Sequence, residues 1–153
     1  MARKRAPELT TLLSDGSIRL DETATDRDDA IRQVGATLFE AGAVDEAYIE
    51  AMIDRENSVS TYVGEGISIP HATFSGNDSV ARDAIVILRF PQGVDWDGND
   101  VRVCVGIAAR GSGHIALLSQ LATVLLARDN AARLRAATSQ RQVLELLEPE
   151  GTP

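Results

Sequence analysis

The chain has 153 residues, a formal net charge of −8 and a single cysteine. This length suits one compact domain, and 44% hydrophobic residues can build its core without disulfides or a structural metal. The negative charge argues against nucleic acids and anionic membrane surfaces as partners. No segment approaches the roughly 20 apolar residues that span a bilayer, so we expect no membrane insertion. The lone cysteine fits a reducing cytoplasm, which is the predicted location.

The organisation of the chain indicates a single domain. Its start is basic, but no sustained apolar run follows, so it does not have the pattern of a signal peptide. We therefore expect a flexible basic tail at residues 1–7 and one domain at residues 8–149. A short first strand is predicted at residues 18–20.

Two helices are predicted after this strand. Thr25 and Asp28 resemble a capping pair at a helix start, and Gly42 is a natural stop. The residues that recur at helical spacing between them are Ala30, Ile31, Val34, Leu38 and Phe39. The second helix is predicted at residues 45–55, with Tyr48 on its inner face.

Strand patterns dominate the middle of the chain. They predict strands at residues 61–63, 66–69, 84–90 and 101–108. Turn signals follow the third strand at Pro91-Gln92-Gly93 and precede the fourth at Asp97-Gly98-Asn99. Three further helices are predicted at residues 114–126, 131–136 and 140–147. Together these elements predict an α/β (α+β) fold, with a mixed sheet of about five strands flanked by helices on both faces.

The two histidines of the chain both follow predicted strands. His71 comes directly after Pro70, which ends sheet pairing and fixes a turn. His114 follows another apolar run and is expected at the start of a helix, where backbone N–H groups favour anions. The two imidazoles are thus predicted at strand ends, where they could converge on one site.

Imidazole chemistry makes a phosphoryl-carrying role possible. With a pKa of about 6.5, the ring keeps one nitrogen unprotonated at neutral pH and can attack a phosphoryl group. A second histidine can bind the phosphoryl oxygens, and an arginine can balance their charge. The residues alone leave the ordinary alternative open, since a histidine after a proline is more often a surface residue than a nucleophile.

The surrounding sequence resembles the active-site signature of phosphotransferase-system enzyme IIA components of the mannitol/fructose type. The matching segments lie within residues 55–73, 106–121 and 134–147, in the order and spacing of that family. The resemblance extends from about residue 9 to residue 147 and so covers nearly the whole chain. Ser68 stands where alanine is usual and Ala72 where glycine is common. Both residues are small, so we expect the turn to be kept.

The resemblance implies the mannitol-type enzyme IIA fold and roles for three residues. His71 matches the histidine that family members phosphorylate, taking the group from phospho-HPr and giving it to a cysteine of an enzyme IIB domain. His114 matches the second active-site histidine, which supports the phosphoryl group. Arg55 matches an arginine at the site entrance, a charge partner for the phosphoryl oxygens. No cofactor or metal is implied, because the donor is already a phosphohistidine.

Two segments bear on the branch of the family. Residues 61–64 and 106–110 look most like mannitol-type sequences, so mannitol is the predicted substrate of the uptake system. Fructose-type and nitrogen-regulatory members share much of the same framework. In the nitrogen-regulatory alternative, the phosphorylation state of His71 controls a partner protein.

Other residues offer weaker candidates. Cys104 could be the acceptor thiol of an enzyme IIB, but it lies in an apolar strand pattern, so we interpret it as a buried structural thiol. The Gly64-x-Gly66 pattern lacks the third glycine of a dinucleotide loop, and the sequence contains no Walker A motif. The spacing of the histidines does not fit zinc. Trp96 could stack on a sugar, although we favour a turn aromatic that folds back on the domain.

Overall fold

The computed structural model describes residues 9–14, 16–72, 80–110 and 113–147, apart from the side chains of residues 113 and 114. The predicted basic tail at residues 1–7 lies outside these ranges. Within them, no helix has the length and apolar character needed to cross a membrane.

The predicted helices and strands are present in the predicted order. In chain order, the elements are a 3-10 helix (Leu9–Leu12), β1 (Ile18–Arg19), α1 (Arg27–Glu40), α2 (Ala47–Ser58), β2 (Tyr62–Gly64), β3 (Ile67–Ser68), β4 (Ala84–Trp96), β5 (Asn99–Ala108), α3 (Gly113–Leu125), α4 (Arg128–Arg135) and α5 (Gln140–Leu147). Their bounds lie within a few residues of the expected ones, except at the end of β4.

The strands form one mixed sheet in the order β1-β4-β5-β3-β2. β4 pairs antiparallel with β5, and β5 pairs parallel with β3 on its other side. β1 pairs parallel with β4 at one edge, and β2 pairs antiparallel with β3 at the other. The predicted α/β fold with five strands is therefore confirmed. The carboxyl ends of β3 and β5 lie side by side.

Helices cover both faces of the sheet, as predicted. α1 and α2 pack on the face that presents Val86 and Leu88. The 3-10 helix, α3, α4 and α5 pack on the opposite face, against Ile85 and Ile87. Alternate residues of β4 thus enter two separate cores, which explains why residues 84–88 are apolar at every position.

One turn prediction is wrong. Pro91-Gln92-Gly93 does not end a strand, because β4 continues through this segment to Trp96. Its pairing with β5 shifts register between Arg89 and Val94, so the extra residues form a bulge within the strand. The second turn signal, Asp97-Gly98-Asn99, does connect β4 to β5 as predicted.

The start of α1 also differs from its prediction. Asp26 is the N-cap, and its carboxyl group accepts the backbone N–H of Asp29 at 2.8 Å. The carboxyl group of Asp29 accepts the backbone N–H of Thr25 at 2.8 Å. The capping pair is therefore Asp26 with Asp29, one residue beyond the predicted Thr25 and Asp28. Of the apolar residues that recur at helical spacing in α1, Phe39 is 46% exposed.

Candidate functional site

His71 lies in a short segment that leaves the carboxyl end of β3. The backbone N–H of Ile69 donates to the carbonyl of Thr61 at 3.0 Å, which ties this segment to the start of β2. The carbonyl of Pro70 accepts the N–H of Ile107, near the end of β5, at 3.2 Å. Pro70 has no N–H of its own to pair, so the ladder ends here and the chain turns. These contacts fix the backbone immediately before His71.

The imidazole of His71 is held in one tautomer. Its Nδ1 lies 2.8 Å from the carbonyl oxygen of Ile69. A carbonyl can only accept, so Nδ1 carries the proton in this hydrogen bond and the lone pair of the neutral ring resides on Nε2. His71 is 6% exposed. The arrangement holds a largely buried imidazole of defined tautomer at the edge of the sheet.

The second predicted histidine lies on a segment that leaves the same edge. His114 is the second residue of α3, which follows β5, as the sequence predicted. β5 and β3 are parallel neighbours, so the segments that carry His114 and His71 follow adjacent carboxyl ends. The side chain of His114 lies outside the described part of the chain. Its contact with a phosphoryl group stays a prediction.

Arg55, the predicted charge partner, lies in the last turn of α2 and is partly buried. Its Nη1 donates to the carbonyl of Val59, just beyond the helix. This contact satisfies a carbonyl at the C-terminal end of α2, where a positive side chain is also favoured by the helix dipole. The role of Arg55 as a charge partner for phosphoryl oxygens stays a prediction.

Tyr48 contacts the segment that carries His71, although the sequence predicted only that it lies on the inner face of its helix. It lies in the first turn of α2 and is 3% exposed. Its hydroxyl accepts the backbone N–H of Ala72 at 3.2 Å and donates to the carbonyl of Ile107 at 2.7 Å. Burial raises the pKa of Tyr48 to about 12, despite the opposing hydrogen bond from Ala72. The sequence could have indicated these hydrogen bonds only through the general rule that a buried tyrosine hydroxyl needs a polar partner.

A buried carboxyl group organises the residues before β2. Glu56 is 3% exposed and accepts from the backbone N–H of Thr61 at 2.8 Å and from its hydroxyl at 2.5 Å. It also accepts from Nε1 of Trp96 at 2.8 Å. Trp96 is 0% exposed, so the sugar-stacking alternative is wrong and the interpretation as an aromatic that folds back is confirmed.

Ser68 departs from the usual alanine of the family and is 0% exposed. Its hydroxyl oxygen has no hydrogen-bond partner among the described residues. A buried hydroxyl without a partner is destabilising, which gives a physical reason for an alanine in this strand. Ser68 pairs with Cys104 of β5 in the sheet.

Cys104 lies inside β5 and is 0% exposed, which confirms its interpretation as a buried thiol. Burial raises the pKa of the thiol far above its ordinary value, and the carboxylate of Glu56 adds to this rise. The thiolate, which is the nucleophilic form, is therefore strongly disfavoured. Within the described ranges, no three His, Cys, Asp or Glu side chains are grouped to hold a metal ion.

We expect Cys104 to resist alkylation in the native protein. Iodoacetamide at pH 8 should give no adduct by mass spectrometry, because the thiol is inaccessible and protonated. As a control, the same chain unfolded in concentrated urea should gain one adduct during an incubation of equal length. Rapid labelling of the native protein would contradict the buried assignment.

Comparison with known proteins identifies the family to which the sequence belongs. The sequence matches the family described as the phosphoenolpyruvate-dependent sugar phosphotransferase system, EIIA 2, over residues 11–149. The mannitol-specific phosphotransferase enzyme IIA component of Staphylococcus aureus is 38% identical over 140 residues, which cover 92% of this chain and 97% of that protein.

Solved structures extend the similarity to three dimensions. The crystal structure of IIA mannitol from Escherichia coli has a TM-score of 0.81 at 36% identity, covering 88% of this chain and 97% of that one. Enzyme IIAMTL of Escherichia coli, in its complex with phosphorylated enzyme IIBMTL, has a TM-score of 0.82 at 35% identity, covering 89% and 98%. The chain therefore belongs to the EIIA 2 family of the phosphoenolpyruvate-dependent sugar phosphotransferase system, and it has the predicted mannitol-type fold.

Proposed function

We propose that this protein is a cytoplasmic relay that accepts a phosphoryl group from phospho-HPr on His71 and passes it to a cysteine of an enzyme IIB domain. The observation that carries this proposal is the hydrogen bond from Nδ1 of His71 to the carbonyl of Ile69. It leaves Nε2 with the lone pair that a phosphoryl acceptor needs. The names of the similar proteins support mannitol as the sugar alcohol that the system takes up.

Each of the two transfers forms one bond to phosphorus and breaks another. The lone pair of Nε2 attacks phosphorus, the N–P bond of the donor phosphohistidine breaks, and its electron pair returns to the donor ring. While His71 carries the phosphoryl group, its ring is positively charged and keeps the Nδ1 proton, which the carbonyl of Ile69 stabilises. A cysteine thiolate of enzyme IIB then attacks phosphorus and returns the lone pair to Nε2. Because phosphoryl transfer has a loose transition state, alignment and charge compensation dominate both steps.

Charge compensation is assigned to His114 and Arg55. The start of α3 offers backbone N–H groups and the positive end of a helix dipole at the edge where His71 lies. We assign His114 the role of a donor to the phosphoryl oxygens and Arg55 that of a charge partner. Neither a cofactor nor a metal is required, since the donor already holds an activated phosphoryl group.

Docking of the partners is assigned to the surface around this edge. Ile115, next to His114 in α3, is 63% exposed, and an apolar side chain so exposed beside the proposed site suits a protein partner. The net charge of −8 favours encounter with a basic face on HPr. The complexes are expected to be transient, because a relay must release each partner after transfer.

A reconstituted transfer chain tests the proposal. The protein is incubated with phosphoenolpyruvate, enzyme I and HPr, and then with purified IIB domains of mannitol-type and fructose-type systems. We expect an acid-labile phosphoryl group on His71 that moves to the cysteine of the mannitol-type IIB domain. Preferential transfer to the fructose-type domain would overturn the mannitol assignment. A label that no IIB domain removes would favour the nitrogen-regulatory alternative, in which His71 phosphorylation controls a partner.

A further inference from the structure

The hydroxyl of Tyr48 completes a closed set of hydrogen bonds around His71. The N–H of Ile107 donates to the carbonyl of Pro70 at 3.2 Å, just before His71. The carbonyl of Ile107 accepts from the Tyr48 hydroxyl at 2.7 Å, and that hydroxyl accepts the N–H of Ala72 at 3.2 Å, just after His71. Ile107 therefore holds the histidine segment twice. Its N–H binds Pro70 directly, and its carbonyl binds Ala72 through the hydroxyl of Tyr48.

The direction of each bond is set by the chemistry of its atoms. A backbone N–H can only donate and a carbonyl can only accept, so the Tyr48 hydroxyl must accept from Ala72 and donate to Ile107. Phenylalanine at this position would leave the buried Ala72 N–H and the Ile107 carbonyl without these partners. Unpaired buried groups are costly, so the segment would shift to find new ones.

We propose that Tyr48 is a positioning residue for phosphoryl transfer, which fixes the backbone on both sides of His71 to the end of β5. This inference rests on the proposed function of His71. α3 is the next element after β5, so these bonds tie the His71 segment to the strand that leads to α3. An in-line transfer depends on that alignment, since small misplacements of reacting groups slow a reaction strongly.

The position of Tyr48 predicts which kinetic constant changes. Tyr48 is 3% exposed and packs within the core between α1, α2 and the sheet, so it cannot contact HPr or a IIB domain. Removal of the Tyr48 hydroxyl should therefore leave unchanged the partner concentration that gives the half-maximal rate. The rate constant for transfer within the complex should fall instead.

Tyr48→Phe is tested against Tyr62→Phe, which makes the same chemical change elsewhere. The hydroxyl of Tyr62 accepts the N–H of Gly66 at 3.3 Å, at the opposite end of β3 from His71. In rapid-quench assays with phospho-HPr, we expect Tyr48→Phe to transfer at least about tenfold more slowly at saturating donor. Tyr62→Phe should stay within about twofold of wild type. Equal rates in the two variants, or a change confined to half-saturation, would overturn the proposal.

Amide hydrogen exchange tests the bonds without any partner. In the unmodified wild-type protein, the Ala72 amide should exchange slowly, and in Tyr48→Phe it should exchange much faster while the core amides of β5 stay protected. Fast exchange of Ala72 in the wild type would overturn the proposal even if the variant does not fold. If His71 accepted no phosphoryl group, the proposed function would fail, yet this measurement would still report on the hydrogen bonds of Tyr48.

Discussion

Replacing His71 by glutamine is expected to abolish phosphoryl acceptance from phospho-HPr, with a loss of at least about a thousandfold in rate. Glutamine is similar in length and can hydrogen-bond, but its amide nitrogen has no available lone pair. The nucleophile is thereby removed while a polar side chain is kept in the buried turn. Intact-mass measurement after incubation with phosphoenolpyruvate, enzyme I and HPr should show the wild-type chain phosphorylated and the variant unmodified.

His114→Gln provides the matched control for this experiment. Its proposed role is support and not attack, so the variant should still become phosphorylated, with slower transfer onward to enzyme IIB. Circular dichroism should show that both variants keep the wild-type fold. A His71→Gln chain that is phosphorylated as rapidly as wild type would remove His71 as the carrier, whatever the behaviour of His114.

Replacing Glu56 by alanine should lower the free energy of unfolding by about 3–5 kcal/mol. The change removes the acceptor for the Thr61 N–H, the Thr61 hydroxyl and the indole N–H of Trp96. These donors are buried, so the substitution leaves them without an acceptor, and burying an unpaired polar group is costly. Urea unfolding followed by circular dichroism measures the loss. Because Thr61 also accepts the N–H of Ile69, the His71 segment should loosen in this variant.

Glu50→Ala is the control on the same helix. The Glu50 carboxylate forms an ion pair with Arg32 at 2.7 Å, and both side chains are more than half exposed. An exposed pair of this kind contributes little, so the free energy of unfolding should fall far less than in Glu56→Ala. Similar losses in the two variants would show that the buried hydrogen bonds of Glu56 are not the source of its effect.

The sequence says more about His71 than about the residues around it. His71 was predicted as the carrier because a short strand, a proline and a histidine are contiguous, and because the family pattern surrounds them. The hydrogen bonds of Tyr48 with Ala72 and Ile107, and that of Glu56 with Trp96, were not predicted because these partners are far away in the chain. Which backbone group meets a buried hydroxyl or carboxyl group depends on how α2 docks on the sheet, and periodicity carries no such information.

The sheet itself shows where local signals fail. Pro91 and Gly93 are turn formers, yet their segment stays within β4 because its flanks pair with β5 and the extra residues form a bulge. At α1, Thr25 and Asp26 are both good cap residues, and their neighbouring positions made the choice between them a matter of one residue. In β4 the pairing with β5 overrides the local turn signal, whereas at α1 the choice rests on hydrogen bonds among residues 25–29.

The parallel pairing of β3 with β5 has a consequence for folding. β4 and β5 form a local hairpin, which can close early, whereas Ile67 must find Val103 across the whole of β4 and the residues before it. Such distant pairings carry a larger loop-closure cost and form later. The turn that holds His71 therefore reaches its final place only once the hairpin exists. We therefore expect a newly made chain to form most of its helices and strands before the His71 segment is in place.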